Sequence, residues 1–339
     1  MAGITYLDEF TKPALRGLVD ETLRQAVPTF ADRFLPTEET YDMKFAYDIV
    51  KTHKYIASVI GYGAEAPIVD RNELASMSGE IAKIALKDIV TEEELLKIHQ
   101  ARNSGERQST IDRILLRGVD LVEAVQRRID VMKIEALTKG KLEYNKNGVK
   151  FAVDFGIPAE NKVALTSGND WTDTEHDVIG DLLTWTEQYA DMNGEAPSLI
   201  LLSREAQAQL LKNAVIVAEA RGANSGATRV SVDELNSVLG GYDLPPVQVV
   251  SDRKFTVKNL YTGQQEVIEF FPKNRVVMLS EGVGSFLLGP TVENEFQPGI
   301  TLLARDEDEP IRSILKAVAA GFPAVEQPSR IFHADVFTA

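Results

Sequence analysis

Residues 108–139, QSTIDRILLRGVDLVEAVQRRIDVMKIEALTK, are the stretch whose reading decides the fold. Apolar or small side chains recur at Ile111, Leu115, Val119, Val122, Val125, Ile129, Met132 and Ala136. Steps of three and four place them on one face of a helix. Asp112, Arg113, Arg117, Glu123, Arg127, Arg128, Asp130 and Lys133 take the opposite side, no proline intervenes, and Gly118 is the only glycine. At about 1.5 Å per residue such a helix spans roughly 45 Å, longer than an average compact core requires. Strand-like, turn-rich sequence flanks it on both sides. The pattern predicts a beam backed by strands, and neither a catalytic barrel nor a nucleotide-binding sheet. On periodicity alone an ordinary long core helix is the simpler reading.

The chain has 339 residues, 44% of them hydrophobic, enough for two domains or one elaborated one. No apolar run approaches the roughly 20 residues that cross a bilayer. The first ten residues show neither a basic leader nor an apolar signal stretch, so a cytosolic chain without membrane contact is expected. With no cysteine, disulfides, thiolate metal sites and thiol nucleophiles are excluded. A net charge of −15 argues against gripping nucleic acid, because phosphate contacts need a basic surface. It does not exclude a protein that encloses nucleic acid without gripping it, for which a repulsive lining would serve.

Residues 1–39 read as an N-terminal arm. Leu7, Phe10, Leu15, Leu18, Leu23, Val27, Phe30 and Phe34 are scattered, and Pro13, Pro28 and Pro36 should break any long helix. The arm either docks on a neighbour or stays a partly ordered terminus. Residues 40–90 read as an extended loop. Phe45, Tyr47 and Ile49 alternate, residues 55–60 form a second strand candidate, Gly61-Tyr62-Gly63 allows a turn, and Ile81, Ile84, Leu86 and Ile89 suggest the return strand. So long an excursion needs something to lie on. Thr91 and Glu94 form a capping box, and Asn103-Ser104-Gly105 should stop that helix before the long one begins. A turn at residues 145–148 precedes a strand with Val149, Phe151, Val153 and Phe155.

Residues 172–289 read as mixed α/β. Thr172 and Glu175 suggest a capping box for a helix ending near Asn193-Gly194. Residues 199–202 form a buried strand, Ser203 caps the next helix, and Ser231 with Glu234 caps a third. Strands are expected at 247–250, 267–271 and 275–279. In the tail, residues 300–304 and 311–319 should pair around a polar turn at 306–310, and residues 331–336 form a last strand.

This order of elements resembles the major capsid protein of tailed bacteriophages, the lambda-type head protein family. Three strings resemble it as well: Gly61-Tyr62-Gly63-Ala64-Glu65-Ala66-Pro67-Ile68-Val69-Asp70-Arg71; Ala82-Lys83-Ile84-Ala85-Leu86-Lys87-Asp88 leading into Thr91-Glu92-Glu93-Glu94; and Ala320-Gly321-Phe322-Pro323-Ala324-Val325 with Pro328 and Ile331-Phe332. The resemblance implies an α+β, Hong Kong 97-type phage capsid fold. Its parts are the arm (1–39), the extended loop (40–90), a peripheral domain (91–171) with spine helix 108–139, an axial domain (172–289), and C-terminal strands (290–339) returning to the peripheral domain. It implies hexamers and pentamers of an icosahedral shell around double-stranded DNA that is not specifically bound. Each extended loop then lies on a neighbouring subunit, and portal, scaffolding and, as a further candidate, decoration proteins are partners. An encapsulin-type nanocompartment shell is the alternative; a cytosolic hydrolase with a dispersed site is a third reading.

No motif demands chemistry. His53, His99, His176 and His333 lie far apart, without a His-x-x-x-His pair. Asp170, Asp173, Glu175, His176 and Asp177 lack calcium-loop spacing and suit a helix start. Gly282-Val283-Gly284 is no dinucleotide loop, Ser225 reads as part of a mobile loop, and residues 306–309 read as a solvated turn tip. Lys51 and Lys54 invite thought of a lysine–asparagine crosslink, as in some capsids of this fold; none is expected. No catalytic, cofactor-binding or metal-binding residue, and no cofactor, is expected.

Overall fold

The computed structural model describes residues 3–42, 44–50, 74–80, 82–146, 149–250, 254–258 and 264–338. The chain opens with α1 (Lys12–Gln25), α2 (Ala31–Phe34), β1 (Thr37–Glu39), β2 (Lys44–Val50), β3 (Leu74–Glu80) and β4 (Ala82–Thr91). Then follow α3 (Glu92–His99), the spine helix α4 (Ser104–Lys139), and strands β5 (Lys141–Lys146), β6 (Val149–Asp154) and β7 (Lys162–Ala164). The mixed segment holds α5 (Val178–Asn193), β8 (Leu199–Ser203), α6 (Arg204–Leu210), α7 (Ala214–Arg221), α8 (Val232–Gly241) and β9 (Val247–Val250). The remainder is β10 (Lys254–Lys258), β11 (Gln265–Glu269), β12 (Arg275–Leu279), β13 (Gly284–Thr291), β14 (Gln297–Pro298), β15 (Thr301–Asp308), β16 (Ile311–Val325) and β17 (Ile331–Asp335).

The spine starts earlier than periodicity suggests. Asn103 does not stop α3; its Oδ1 accepts from Glu106 N at 2.8 Å and caps α4. The Thr91–Glu94 box does open α3, with Glu94 Oε2 accepting from Thr91 N at 3.0 Å. The spine ends at Gly140, whose φ of 68° is the left-handed conformation that terminates helices.

The spine lies along β16. The helix is roughly 54 Å long and the 15-residue strand roughly 50 Å at about 3.3 Å per residue. Strand β16 pairs antiparallel with β15 and β13 on one side and β4 on the other. Its residues 320–325, the third string of the resemblance, are buried throughout. Gly321 is required there, because a Cβ would collide with the Phe286 ring. Ile111, Ile114, Val122, Val125, Ile129 and Met132 of the spine join Leu315, Ala317 and Phe322 in one core.

A second sheet runs β7-β17-β12-β8-β9. Val277, Leu279, Leu199 and Leu201 face the spine's core, while Val276, Met278, Ile200 and Leu202 face a helical layer built on Trp171, Leu182, Trp185 and Tyr189. Both faces are covered, which is why these strands read as unbroken apolar runs. Strand β17 completes this sheet, pairing antiparallel with β12 and parallel with β7 at residues 162–164.

Several local expectations also change. Helix α5 begins at Val178 under an Asp177 cap, not at Thr172. The helix opened by Ser203 stops at Leu210, and Asn213 caps a new one. Strands β5, β10 and β13 join those expected. In the arm, Pro13 sits at the start of α1, where a missing N–H costs nothing, so it opens a 14-residue helix instead of breaking one. Strands β2 and β3 pair over seven residues as a ladder that, among the described residues, joins no other sheet. The strand expected at 55–60, the 61–63 turn and the string at residues 61–71 lie outside the described residues.

Replacing Gly140 by Ala forces a Cβ into a left-handed position and against Ile157 Cδ1. A loss of about 1–2 kcal/mol is expected in urea unfolding of the unassembled subunit.

Candidate functional site

Among the described residues, His99, His176 and His333 do not converge. His99 stacks on Tyr6, with Tyr6 Oη 2.8 Å from its Nε2. His176 Nε2 lies 2.7 Å from Asp181 Oδ2, which also accepts from Trp171 Nε1 at 3.0 Å. His333 is buried, and its Nε2 donates to the Leu137 carbonyl at 2.8 Å. Burial, with Arg275 nearby, holds its pKa down to about 3. His53, Lys51 and Lys54 lie outside the described residues. The acidic run at 170–177 shapes a turn: Asp170 Oδ1 accepts from Thr172 N at 3.0 Å, Asp173 Oδ1 from Glu175 N at 2.9 Å, and Asp177 Oδ1 from Gly180 N at 2.9 Å. Among the described residues no cluster of three or more His, Asp or Glu side chains could hold a metal ion. Ser225 sits exposed in a turn, its N–H donating to Gly222 O at 3.1 Å. Gly282 has a φ of 79° and Gly284 opens β13.

Asp306 is not at a solvated tip. It lies within β15, and the turn falls at Glu309 and Pro310. Its carboxylate accepts from Ile4 N at 3.1 Å, Thr5 N at 3.3 Å and Ser313 Oγ at 2.6 Å. Burial works to raise its pKa, but these hydrogen bonds outweigh it and hold the carboxyl below the usual range. The start of the arm is thereby tied to β15 and β16.

A second tie joins the arm's far end to the spine. Lys133 was expected on the solvent face, yet it is 1% exposed. Its ammonium donates to Asp32 Oδ1 at 2.6 Å and Thr37 Oγ1 at 2.8 Å and lies 5.5 Å from the centre of the Phe286 ring. Asp32 Oδ2 accepts from Thr29 N at 2.7 Å. One lysine therefore links α2, β1, β13 and α4. Periodicity misread it because a cation with its partners supplied can occupy an apolar face.

Between α1, α4 and residues 293–303 lies a cavity of about 1000 Å3. Val19, Leu23, Ile129, Leu288 and Leu302 form an apolar floor, and Asp20, Asp32, Glu39, Asp130, Glu293 and Glu295 stand on its wall with Lys12 and Arg16. Burial, then the charge of Asp32, pushes Asp130 up to about 6, against the opposing pull of its Gln126 hydrogen bond, Lys133 and Arg127. Glu293 is held down to about 2 by hydrogen bonds from Lys83 and Lys316, which brace its loop against β4 and β16. Nothing in this arrangement pairs a nucleophile with a base.

Two sheets packed into one core with a long spine helix, a separate two-stranded ladder and a helical arm make a fold that matches Hong Kong 97-type phage capsid structures. The family model for phage major capsid protein E matches residues 21–296, and the chain belongs to that family. A protein assigned as the capsid protein of an Escherichia coli CFT073 prophage superposes with a TM-score of 0.60 at 13% identity, covering 96% of this chain and 99% of that one. A phage-related protein of Bordetella bronchiseptica RB50 gives 0.56 at 13% identity, covering 94% and 96%. The mature capsid of bacteriophage PhiM1 gives 0.50 at 10% identity, covering 93% and 89%. No curated protein sequence matches the chain. The family is structural and not catalytic, which closes the hydrolase reading. Its members self-assemble into a shell and belong to the virion.

Removing one partner of the Lys133 pair should be costly. In urea unfolding, Asp32→Ala is expected to lose about 3 kcal/mol by leaving a buried ammonium unpaired, whereas Lys133→Met should lose much less. Asp130 adds a pH signature. Its folded pKa lies above the free value, so its ionisation opposes folding in full above about pH 6, and the penalty shrinks as pH falls below that value until it is gone near the free pKa. Asp130→Asn should stabilise the unassembled subunit at pH 8 by on the order of 1 kcal/mol after solvent screening, with the gain vanishing near pH 4.

Proposed function

We propose that this chain builds the hexamers and pentamers of an icosahedral shell, assembled in the host cytoplasm, that encloses a double-stranded DNA genome. The β2/β3 ladder supports this most directly. Among the described residues it joins no other sheet, and an isolated two-stranded ladder is marginal in water, which favours a reading in which a neighbouring copy supports it. On this reading residues 40–90 are the extended loop and lie on a neighbouring subunit. Residues 91–171 with the spine serve the capsomer periphery, and residues 172–289 meet at its centre. The arm (1–39) stays with its own subunit, and residues 290–339 divide between the two sheets. Scaffolding and portal proteins, with decoration proteins as a further candidate, complete the particle.

The charge balance fits a container better than a binder. Acidic residues number 51 and basic ones 36, so DNA would be retained by enclosure and not by affinity for the wall.

Electron microscopy of the purified protein should show capsomers, tubes or shells, with light scattering far above a single chain. Removing residues 51–73 should leave the circular dichroism of the fold intact and abolish closed particles. A compact monomer at every concentration and salt, or normal shells from the shortened chain, would sink the reading.

A further inference from the structure

The second sheet ends in β7 on one side and β9 on the other, and among the described residues each pairs on its inner side alone. At about 4.8 Å between strands the two edges stand roughly 19 Å apart. Their flanks carry opposite charge. Residues 163–203 hold eight acidic residues and no lysine or arginine. Five of the eight have work within the subunit: Asp170, Asp173 and Asp177 accept from backbone N–H groups, Asp181 accepts from Trp171, and Glu195 meets Arg330. Among the described residues no ion pair joins Glu187 or Asp191, one turn apart on α5, to a cation. Gln188 Nε2 donates to the Glu160 carbonyl at 2.6 Å, which sets Glu160 beside them just ahead of β7. These three acids line an open cleft with Thr184, Gln188 and Met192. Trp185 of the same helix packs on Phe332 of β17, the rings 6.2 Å apart, so α5 lies at the β7 end of the sheet. Lys162, on β7 itself, is the basic residue that adjoins this flank in sequence.

The β9 end is basic. Helix α6 packs there, against β8 and β9. Arg204 opens the helix, and Ser203 Oγ donates to the Lys273 carbonyl, which brings Lys273 to the same end. At the far end Val230 N donates to Leu211 O at 2.9 Å, which brings Arg229 next to Lys212. Arg204, Lys212, Arg229 and Lys273 are all exposed, and among the described residues none has an ion pair. Glu205 is the one carboxylate on α6. A chain of net charge −15 repels its own copies wherever their surfaces face each other at random. Four unopposed cations at one end of a sheet, and unopposed carboxylates at the other, reverse that repulsion in one orientation: end to opposite end.

We propose that the β7–α5 flank of one subunit docks on the β9–α6 flank of a second copy, with Glu160, Glu187 and Asp191 meeting Arg204, Lys212 and Arg229. This rests on the reading that the chain builds ring-shaped capsomers, and adds the two surfaces and the charges through which neighbours recognise each other. The two flanks differ, so the contact is heterologous and repeats head to tail around a ring if its rotation closes. It also gives the ring a direction, because a copy turned over would set like charge against like.

Charge exchange in the full-length chain tests it. Glu187→Lys with Asp191→Lys, and separately Arg204→Glu with Lys212→Glu, should each lower the yield of capsomers and particles by about tenfold or more in sedimentation, with circular dichroism unchanged. Combining all four should restore yield to within about threefold of the parent, because each flank then meets its opposite again. Should a reversed chain misfold, Glu187→Gln with Asp191→Asn replaces it and should still reduce yield. Parent-like yield from either one-sided pair, or no recovery in the combined chain, overturns the pairing of these flanks. Where the parent chain forms particles, that result leaves the shell reading standing; a parent that stays a monomer at every concentration and salt overturns both.

Discussion

Everything in this subunit is arranged around one long contact, the spine helix lying along β16. Helix and strand match in length to within a few ångströms. A 36-residue helix is stable in water chiefly through what its apolar face covers, and a 15-residue strand needs partners along its whole course. Strands β4, β13 and β15 supply the hydrogen bonds and the helix supplies the cover. The second sheet is attached to the same core, because the inner faces of β8 and β12 pack into it. Two sheets thus share one spine, and a displacement of either is resisted by the other.

Function resides in what this frame leaves exposed. Among the described residues, the acidic cavity and the Phe296 loop are open surfaces. That agrees with a family whose members work by association. Charge within the subunit is handled locally: Asp306 gathers the start of the arm, Asp32 meets Lys133, and Glu293 meets two lysines. Among the described residues, no ion pair reaches Asp20, Glu39 or Asp130 on the cavity wall.

Much of the frame was legible from residue types alone, for identifiable reasons. The spine follows from spacing, the caps at Thr91, Ser203 and Ser231 from side chains that accept backbone N–H groups, and β8 and β12 from apolar runs. The errors share a different cause. Thr172 and Glu175 have capping-box spacing, but Asp170 draws Thr172 into a tighter turn and Asp177 takes the cap. Lys133 was misplaced because its partner Asp32 is 101 residues away. Asp306 was read as a turn tip because its partners Ile4 and Thr5 are some three hundred residues distant. The cavity was invisible for the same reason, being assembled from three separated segments. Local rules found what local chemistry decides and missed what only tertiary proximity creates.

Those distant partnerships bear on the order in which a subunit can be made. Strand β4 pairs with β16, Ile4 is held by Asp306 and Ser313, and β17 sits beside β12 in the second sheet. Neither sheet can close before residues 311–335 have left the ribosome, and contacts of such sequence separation form late. The arm, although synthesised first, must wait for its seat until nearly the whole chain exists. Until then its wall of the cavity is incomplete. A half-made chain therefore carries an arm whose backbone N–H groups at Ile4 and Thr5 have no carboxylate to meet, and only the finished chain ties it down.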